Sequence, residues 1–401
     1  MEQATNKGHL VLARKYRPKT LGGLIGQDVF VKTISNAIIS NKIHHAFLLT
    51  GTRGVGKTSS ARILALSLNC KKYDAPTTTP CLECEACKMI LNGSNPDVIE
   101  MNASDDTGVD HMREEVIDKC AFAPMVSRYK VFIIDEVHML SKSAFNALLK
   151  TLEEPPEKVK FIFATTEVRK VPITILSRCQ KFYLKNVSEE LLCQHLEEIC
   201  KKENVKYDNQ SLSLLSKYAN GSVRDSLSLL DQAISITNGN ITIDKINEML
   251  SIPDREMVAK IFKACYLGDI KTAISIMEEF LSNEIETTIV VNELMEVVLD
   301  GLKYVSCLKT DKDLYPTFAT IFNELSADNN LNVPRLLRMW QILSASLGEL
   351  KVIGSKQYFT ALMFKLCYSS TLPTPIEALK MMNDEGLQSI KKEFPDGKII
   401  K

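Results

Sequence analysis

No stretch of these 401 residues is apolar for long enough to span a bilayer, which takes about 20 consecutive apolar residues. Met1 to His9 is polar and lacks the apolar core of a secretory signal. Neither sign of charge is in excess: Lys and Arg total 49, as do Asp and Glu, which excludes binding to nucleic acid by bulk charge while leaving room for a local basic surface. There is no internal repeat and no low-complexity tract. The cysteines do not form a disulfide framework, because only four of the 11 lie close together. That usage fits a reducing compartment with one metal site. Membrane, secreted and repeat classes are set aside, and a chain of this length holds two or three domains.

What is present begins with Gly51-Thr52-Arg53-Gly54-Val55-Gly56-Lys57-Thr58, which fills every fixed position of G-x-x-x-x-G-K-[ST]. Ala46 to Leu49 before it reads as a buried strand, and Ser59 to Leu68 after it reads as a helix. Strand, glycine-rich turn and helix in that order give the motif its physical sense. Glycines let backbone N–H groups close around phosphate oxygens, and the helix N-terminus adds partial positive charge. Lys57 can reach the β- and γ-phosphates of bound ATP or GTP, and the Thr58 hydroxyl can ligate Mg2+.

Lys130 to Ile134 is an apolar strand ending in Asp135-Glu136-Val137-His138. Asp135 at the strand end can hold Mg2+ directly or through water, and Glu136 can polarise the attacking water. The same four residues also fit the D-E-x-H pattern of helicases, which would require a second nucleotide-binding core downstream. Loss of the P-loop would instead mark a non-catalytic scaffold subunit, and the intact Lys57, Thr58, Asp135 and Glu136 argue against that.

Cys70, Cys81, Cys84 and Cys87 place four thiols within 18 residues, in a loop rich in Pro and Thr. That set suits a closed tetrahedral Zn2+ with a structural role. An iron–sulfur cluster favours a different spacing, with the fourth Cys downstream and followed by Pro. A cluster or unliganded thiols are the alternatives. Cys120, Cys193 and Cys307 are scattered and read as small buried hydrophobes.

Leu10 to Lys19 reads as an exposed basic arm broken by Pro18. Val29 to Ser40 and Ser141 to Glu154 read as amphipathic helices, the second stopped by Pro155-Pro156. Asp97 to Asn102 and Phe161 to Thr166 read as strands, and a helix is predicted from near Gly108 to Cys120. Thr165 at a strand end can meet a γ-phosphate or the attacking water. From Ser188 helices dominate. Ser222 is a plausible N-cap, which puts Arg224 in the first turn of its helix, where a cation is disfavoured. That suggests service to a ligand, although a surface salt bridge would also suit it. Residues 254–370 read as amphipathic helices, such as Met257 to Tyr266 and Ile270 to Leu281, for packing or oligomerisation. The tail from Pro373 reads as a loosely ordered terminus.

Ala13-Arg14-Lys15-Tyr16-Arg17-Pro18, the P-loop, the four-Cys insert, Asp135 to Leu140, Phe145 to Pro156, Ser177-Arg178-Cys179 and Gly221 to Asp225 together resemble the AAA+ clamp-loader family of ATPases over roughly residues 10–370. The resemblance implies an α/β P-loop NTPase domain at 10–186 with a zinc module at 70–87, a small helical lid at 187–252, a helical collar at 253–370 and a short tail at 371–401. It implies Thr165 as the sensor-1 residue, Arg224 as the sensor-2 arginine of the lid, and Arg178 as an arginine finger acting on a neighbour's ATP. It places Val11 to Pro18 near adenine. The implied activity is ATP hydrolysis that opens a sliding clamp and loads it onto primer–template DNA. The implied setting is the cytoplasm at replication forks, in a pentameric ring with delta, delta prime and further loader subunits. Asp105-Asp106 stands where relatives carry basic residues near DNA, and Lys150 is then the candidate contact. The chain ends soon after the collar, as expected of the family's short form or of a chain that is naturally brief. Polymerase chemistry is absent, so a polymerase label would describe the holoenzyme.

Overall fold

A computed structural model describes residues 11–105, 112–283, 285–327, 331–353 and 356–372. The polar N-terminus, Asp106, the predicted helix start near Gly108 and the tail from Pro373 lie outside them. The chain divides into two compact units, residues 1–246 and 247–401. No helix among the described residues is long and apolar enough to cross a membrane.

Unit one is built on five parallel strands in the order β2-β3-β4-β1-β5. They are β1 Ala46–Thr50, β2 Val98–Asn102, β3 Lys130–Asp135, β4 Val159–Thr165 and β5 Gln180–Tyr183. The central strands read as unbroken apolar runs because both faces of the sheet are covered. Side chains alternate between two cores. Leu48, Phe132, Ile134, Phe161 and Phe163 enter one. Phe47, Leu49, Val131, Ile133 and Ile162 enter the other. Parallel register then aligns the strand ends: Thr50 lies beside Thr165, and Asn102 beside Asp135. Every polar group at these C-terminal ends therefore faces one edge of the sheet, where ligands of open α/β sheets bind.

The helices lie within a residue or two of their predicted bounds. Asp28–Ile39 replaces the reading Val29 to Ser40, and Lys142–Glu153 starts from Ser141, whose hydroxyl accepts the Ala144 N–H. The predicted strand at Asp97 begins one residue later. The Asp97 carboxylate is fully buried and takes the N–H groups of Met125, Val126 and Ser127 at 2.8, 2.7 and 2.6 Å. The arm is not simply exposed. Val11 and Leu12–Lys15 make a turn of helix with Leu12 buried, and the Tyr16 hydroxyl donates to Glu203. Lys15 Nζ pairs with the same carboxylate at 2.6 Å, fixing the arm to the helix Glu189–Glu203.

That helix, Asn209–Tyr218 and Val223–Thr237 form the lid region, joined by a two-residue parallel pair of β6 Lys206–Tyr207 with β7 Asn240–Ile241. The lid belongs to the same compact unit as the sheet. Unit two is helical throughout its described residues, from Arg255–Leu267 to Lys356–Thr371, around Phe262, Tyr266, Phe280, Phe322 and Phe359. With no strand there, a second nucleotide-binding core of the helicase kind is absent from the described residues. The scattered cysteines divide: Cys120 is buried as predicted, Cys193 is half-buried and Cys307 is exposed on a left-handed turn (φ 56°), where no apolar pocket receives it.

Candidate nucleotide site

β1 ends at Thr50, and Gly51 to Gly56 turn the chain into the helix Lys57–Asn69. Two glycines are dictated by this geometry. Gly54 has φ +79°, and a Cβ on it would lie 1.8 Å from Ser222 Oγ at the start of the lid helix. Gly56 has φ +103° and caps the P-loop helix, and a Cβ on it would meet nothing within 4 Å. The loop therefore touches the lid on one side and opens onto free space on the other, a cradle that backbone N–H groups line. Arg224 N–H donates to Gly54 O at 3.3 Å, which ties the lid helix directly to the loop.

Lys57 is 6% exposed, and its ammonium donates to Gly51 O at 3.0 Å and Thr52 O at 2.9 Å. Burial lowers its pKa, while the Glu136 and Asp135 carboxylates pull it back up. Thr58 Oγ1 donates to Asp135 Oδ2 at 2.5 Å. A hydroxyl and a carboxylate oxygen converging in this way are the hard donors that Mg2+ takes. Asp135 Oδ1 accepts the Glu136 N–H at 2.9 Å, and Glu136 holds left-handed dihedrals (φ 48°, ψ 42°) that turn its side chain off the strand line.

These groups line one cavity of about 870 Å³, walled by Arg53, Gly54, Lys57, Thr58, Asp135, Glu136 and Arg224. Its far side is the arm, Val11 to Pro18, together with His195 and Leu227 of the lid. The arm Val11 to Pro18 was expected near the nucleotide, but the partner of Arg17 and the roles of Arg62 and His195 escaped the sequence reading. Arg17 Nε donates to Ser59 Oγ at 3.0 Å, in the first turn of the P-loop helix. Its pKa is lowered, first by burial and then by Arg62, so cationic guanidinium groups crowd this wall. Arg62 itself forks onto Glu100 at 2.5 and 2.6 Å. Burial lowers the pKa of His195. No spacing rule marks any of them. The fold brings these side chains to the P-loop.

Thr165 and Arg178 are not among the cavity's walls. Thr165 is fully buried, with its hydroxyl 2.9 Å from His138 Nδ1 and accepting the Glu167 N–H at 3.0 Å. Arg178 is partly exposed and donates to Glu153 Oε1 at 2.5 Å and to Thr174 O at 2.7 Å. Asp105 and Lys150 are exposed.

The four cysteines meet as the spacing predicts. Their sulfurs lie within 4.8 Å of one another, against about 3.8 Å across a tetrahedral zinc–thiolate site. Cys70 closes the P-loop helix, and Cys84 and Cys87 flank the start of the helix Glu85–Asn92. The amides of Lys71, Cys81 and Cys84 donate to Cys84, Cys70 and Cys81 sulfurs at 3.4, 3.4 and 3.3 Å. Such bonds, led by the Cys84 N–H, bring Cys81 down to about 6, while burial pushes Cys87 up. Arg128, which carries no motif, anchors the insert through Leu68 O and Tyr73 O, both at 2.7 Å.

Comparison with known proteins matches three family models along the chain. Residues 26–188 match the family described as DNA polymerase III, delta subunit. Residues 192–239 match the DNA polymerase III clamp loader subunit, ATPase lid domain, and 241–382 match DNA polymerase III subunits gamma and tau domain III. DNA polymerase III subunit gamma of Buchnera aphidicola subsp. Schizaphis graminum is 42% identical over 322 residues, 80% of this chain and 85% of that protein. DNA polymerase III subunit tau/gamma of Haemophilus influenzae is 48% identical over 259 residues, 65% of this chain and 37% of that protein. The tau subunit of Escherichia coli is 42% identical over 285 residues, 71% of this chain and 44% of that one. The chain thus spans less than half the length of the two longer relatives.

Proposed function

Since the chain belongs to the gamma/tau family of DNA polymerase III clamp-loader ATPase subunits, we propose that ATP bound at Gly51 to Thr58 and hydrolysed there drives the opening of a sliding clamp and its loading onto primed DNA. The observation that carries this reading is the joining of P-loop, Asp135, Glu136 and Arg224 in one cavity, with the lid bonded to the loop through Arg224 N–H and Gly54 O. A ligand that fills the cradle touches both, so occupancy is felt by the lid. Lys57 exchanges its carbonyl partners for phosphate oxygens. Thr58 and Asp135 hold Mg2+, which when bound neutralises phosphate charge. Glu136 takes the proton side of the attacking water. Arg17, Arg62 and Arg224 give the cavity wall the cationic lining that a triphosphate needs.

Arg178 stands outside this chain's own cavity, and we assign it to the ATP of a neighbouring subunit. Delta, delta prime and further gamma/tau copies in a pentameric ring are the neighbours this requires. Thr165 acts through His138 as the sensor-1 residue. The domain limits 10–186, 187–252 and 253–370 serve as nucleotide domain, lid and collar, at replication forks in the cytoplasm. The four cysteines hold one structural Zn2+ that fastens the insert to the end of the P-loop helix. The test is clamp loading onto primed circular DNA by the reconstituted loader. Lys57→Ala is expected to abolish loading while leaving assembly of the subunits intact, and loading by that variant at the wild-type rate defeats the proposal.

A further inference from the structure

The carboxylate of Glu136 is held by a residue that lies neither in the P-loop nor in the strand end Asp135 to His138. Thr166 Oγ1 donates to Glu136 Oε2 at 3.2 Å. His138 Nδ1 lies 3.4 Å from the same oxygen, and the imidazole is only 7% exposed. Thr165 connects the two. Its hydroxyl accepts the Glu167 N–H at 3.0 Å and lies 2.9 Å from His138 Nδ1, a contact whose direction is set by the ring tautomer. The other ring nitrogen, Nε2, faces Glu167 Oε1 at 3.4 Å. The turn 165–167 is thereby pinned from the histidine on one side and its own backbone on the other.

The sheet explains why these residues meet. β3 and β4 are neighbours, with Ile134 beside Phe163 as their last registered pair. Both chains leave the sheet just beyond that pair, Glu136 by a left-handed turn as the first residue past β3 and Thr166 as the first residue past β4. The carboxylate then faces the cavity beside Lys57. A glutamate side chain that is 31% exposed has rotamers to choose from, and a donor on one oxygen selects among them. Thr166 is the side-chain hydroxyl that donates to it among the described residues. The expected sensor-1 residue, Thr165, does not touch Glu136. Its neighbour does.

We propose that Thr166 is a positioning residue for ATP hydrolysis, its hydroxyl holding the Glu136 carboxylate in the orientation that polarises the attacking water while His138 fixes the turn that presents it. The proposal rests on Glu136 having that role. Thr166 is exposed and lies beyond the strand, so its replacement leaves the core untouched.

The experiment measures steady-state ATP hydrolysis by the reconstituted loader with clamp and primed DNA, beside affinity for a fluorescent ATP analogue. Thr166→Val removes the hydroxyl at constant shape, and Thr166→Ser keeps it. Thr166→Val is expected to lower kcat by roughly tenfold, the worth of one hydrogen bond to a charged group, with KM and analogue affinity within about twofold of wild type. Thr166→Ser is expected to restore kcat. Glu136→Gln serves as the control and is expected to bind the analogue but not turn over. If Glu136→Gln is inactive and Thr166→Val hydrolyses at the wild-type rate or faster, the positioning role is wrong while the water-polarising role stands. If Glu136→Gln turns over normally, the underlying reading of Glu136 falls first.

Discussion

Substituting Gly54 by Ala tests the join between the P-loop and the lid. Two costs are set by the geometry. The backbone stays at φ +79°, where a Cβ costs about 1–2 kcal/mol. The new methyl would also stand 1.8 Å from Ser222 Oγ, inside any possible contact, so that hydroxyl must move. Ser222 Oγ is the N-cap of the helix Val223–Thr237 and accepts the Asp225 N–H at 3.1 Å, and losing such a cap costs about 1 kcal/mol. Gly54→Ala is therefore expected to destabilise the first unit by about 2–3 kcal/mol. Ser222→Gly removes the obstacle, at a cost of only about a few tenths of a kcal/mol as a cap. The double variant should keep the backbone penalty alone. Urea unfolding of wild type, both single variants and the double variant, followed by circular dichroism, closes the cycle. The expected coupling is about 1 kcal/mol in favour of the double variant. Strict additivity of the two substitutions would refute the claimed contact between loop and lid.

Two further outcomes are expected. Metal analysis should find one zinc per chain, released by Cys84→Ser together with a lower melting temperature of the first unit, and iron in place of zinc would overturn the ligand assignment. Arg178→Ala should bind ATP as wild type does, because the side chain lies outside its own cavity, yet depress hydrolysis at a neighbouring site by about 10³-fold, the low end for an arginine finger. Unchanged hydrolysis in the assembled ring would remove Arg178 from that role.

Much of this site was legible because its chemistry is local in sequence. A P-loop must be contiguous, since one turn of backbone surrounds the phosphates, and Asp135 is marked by the buried strand it ends. Cys81, Cys84 and Cys87 are fixed by spacing because they lie on one short loop. Ser222 was readable as a cap for the same reason. The contacts that escaped notice are those between residues far apart in sequence. Arg17 bonds Ser59, 42 residues on. Thr166 reaches Glu136 across 30 residues, through the register of two strands. Tyr16 meets Glu203 only once the lid has folded back. Thr165 illustrates the limit from the other side: its place at a strand end was correctly read, but the neighbour that takes its hydroxyl, His138, belongs to another strand end. Asp97 was counted as strand because carboxylates next to apolar runs carry no mark of the loop they cap.

The central claim is that this cavity converts ATP into clamp loading. The measurement that tests it most directly is the steady-state ATPase rate of the reconstituted loader, with and without sliding clamp and primed DNA. The account expects hydrolysis to rise when both are present and to vanish with Lys57→Ala. An ATPase rate that is the same with and without clamp and primed DNA would contradict it.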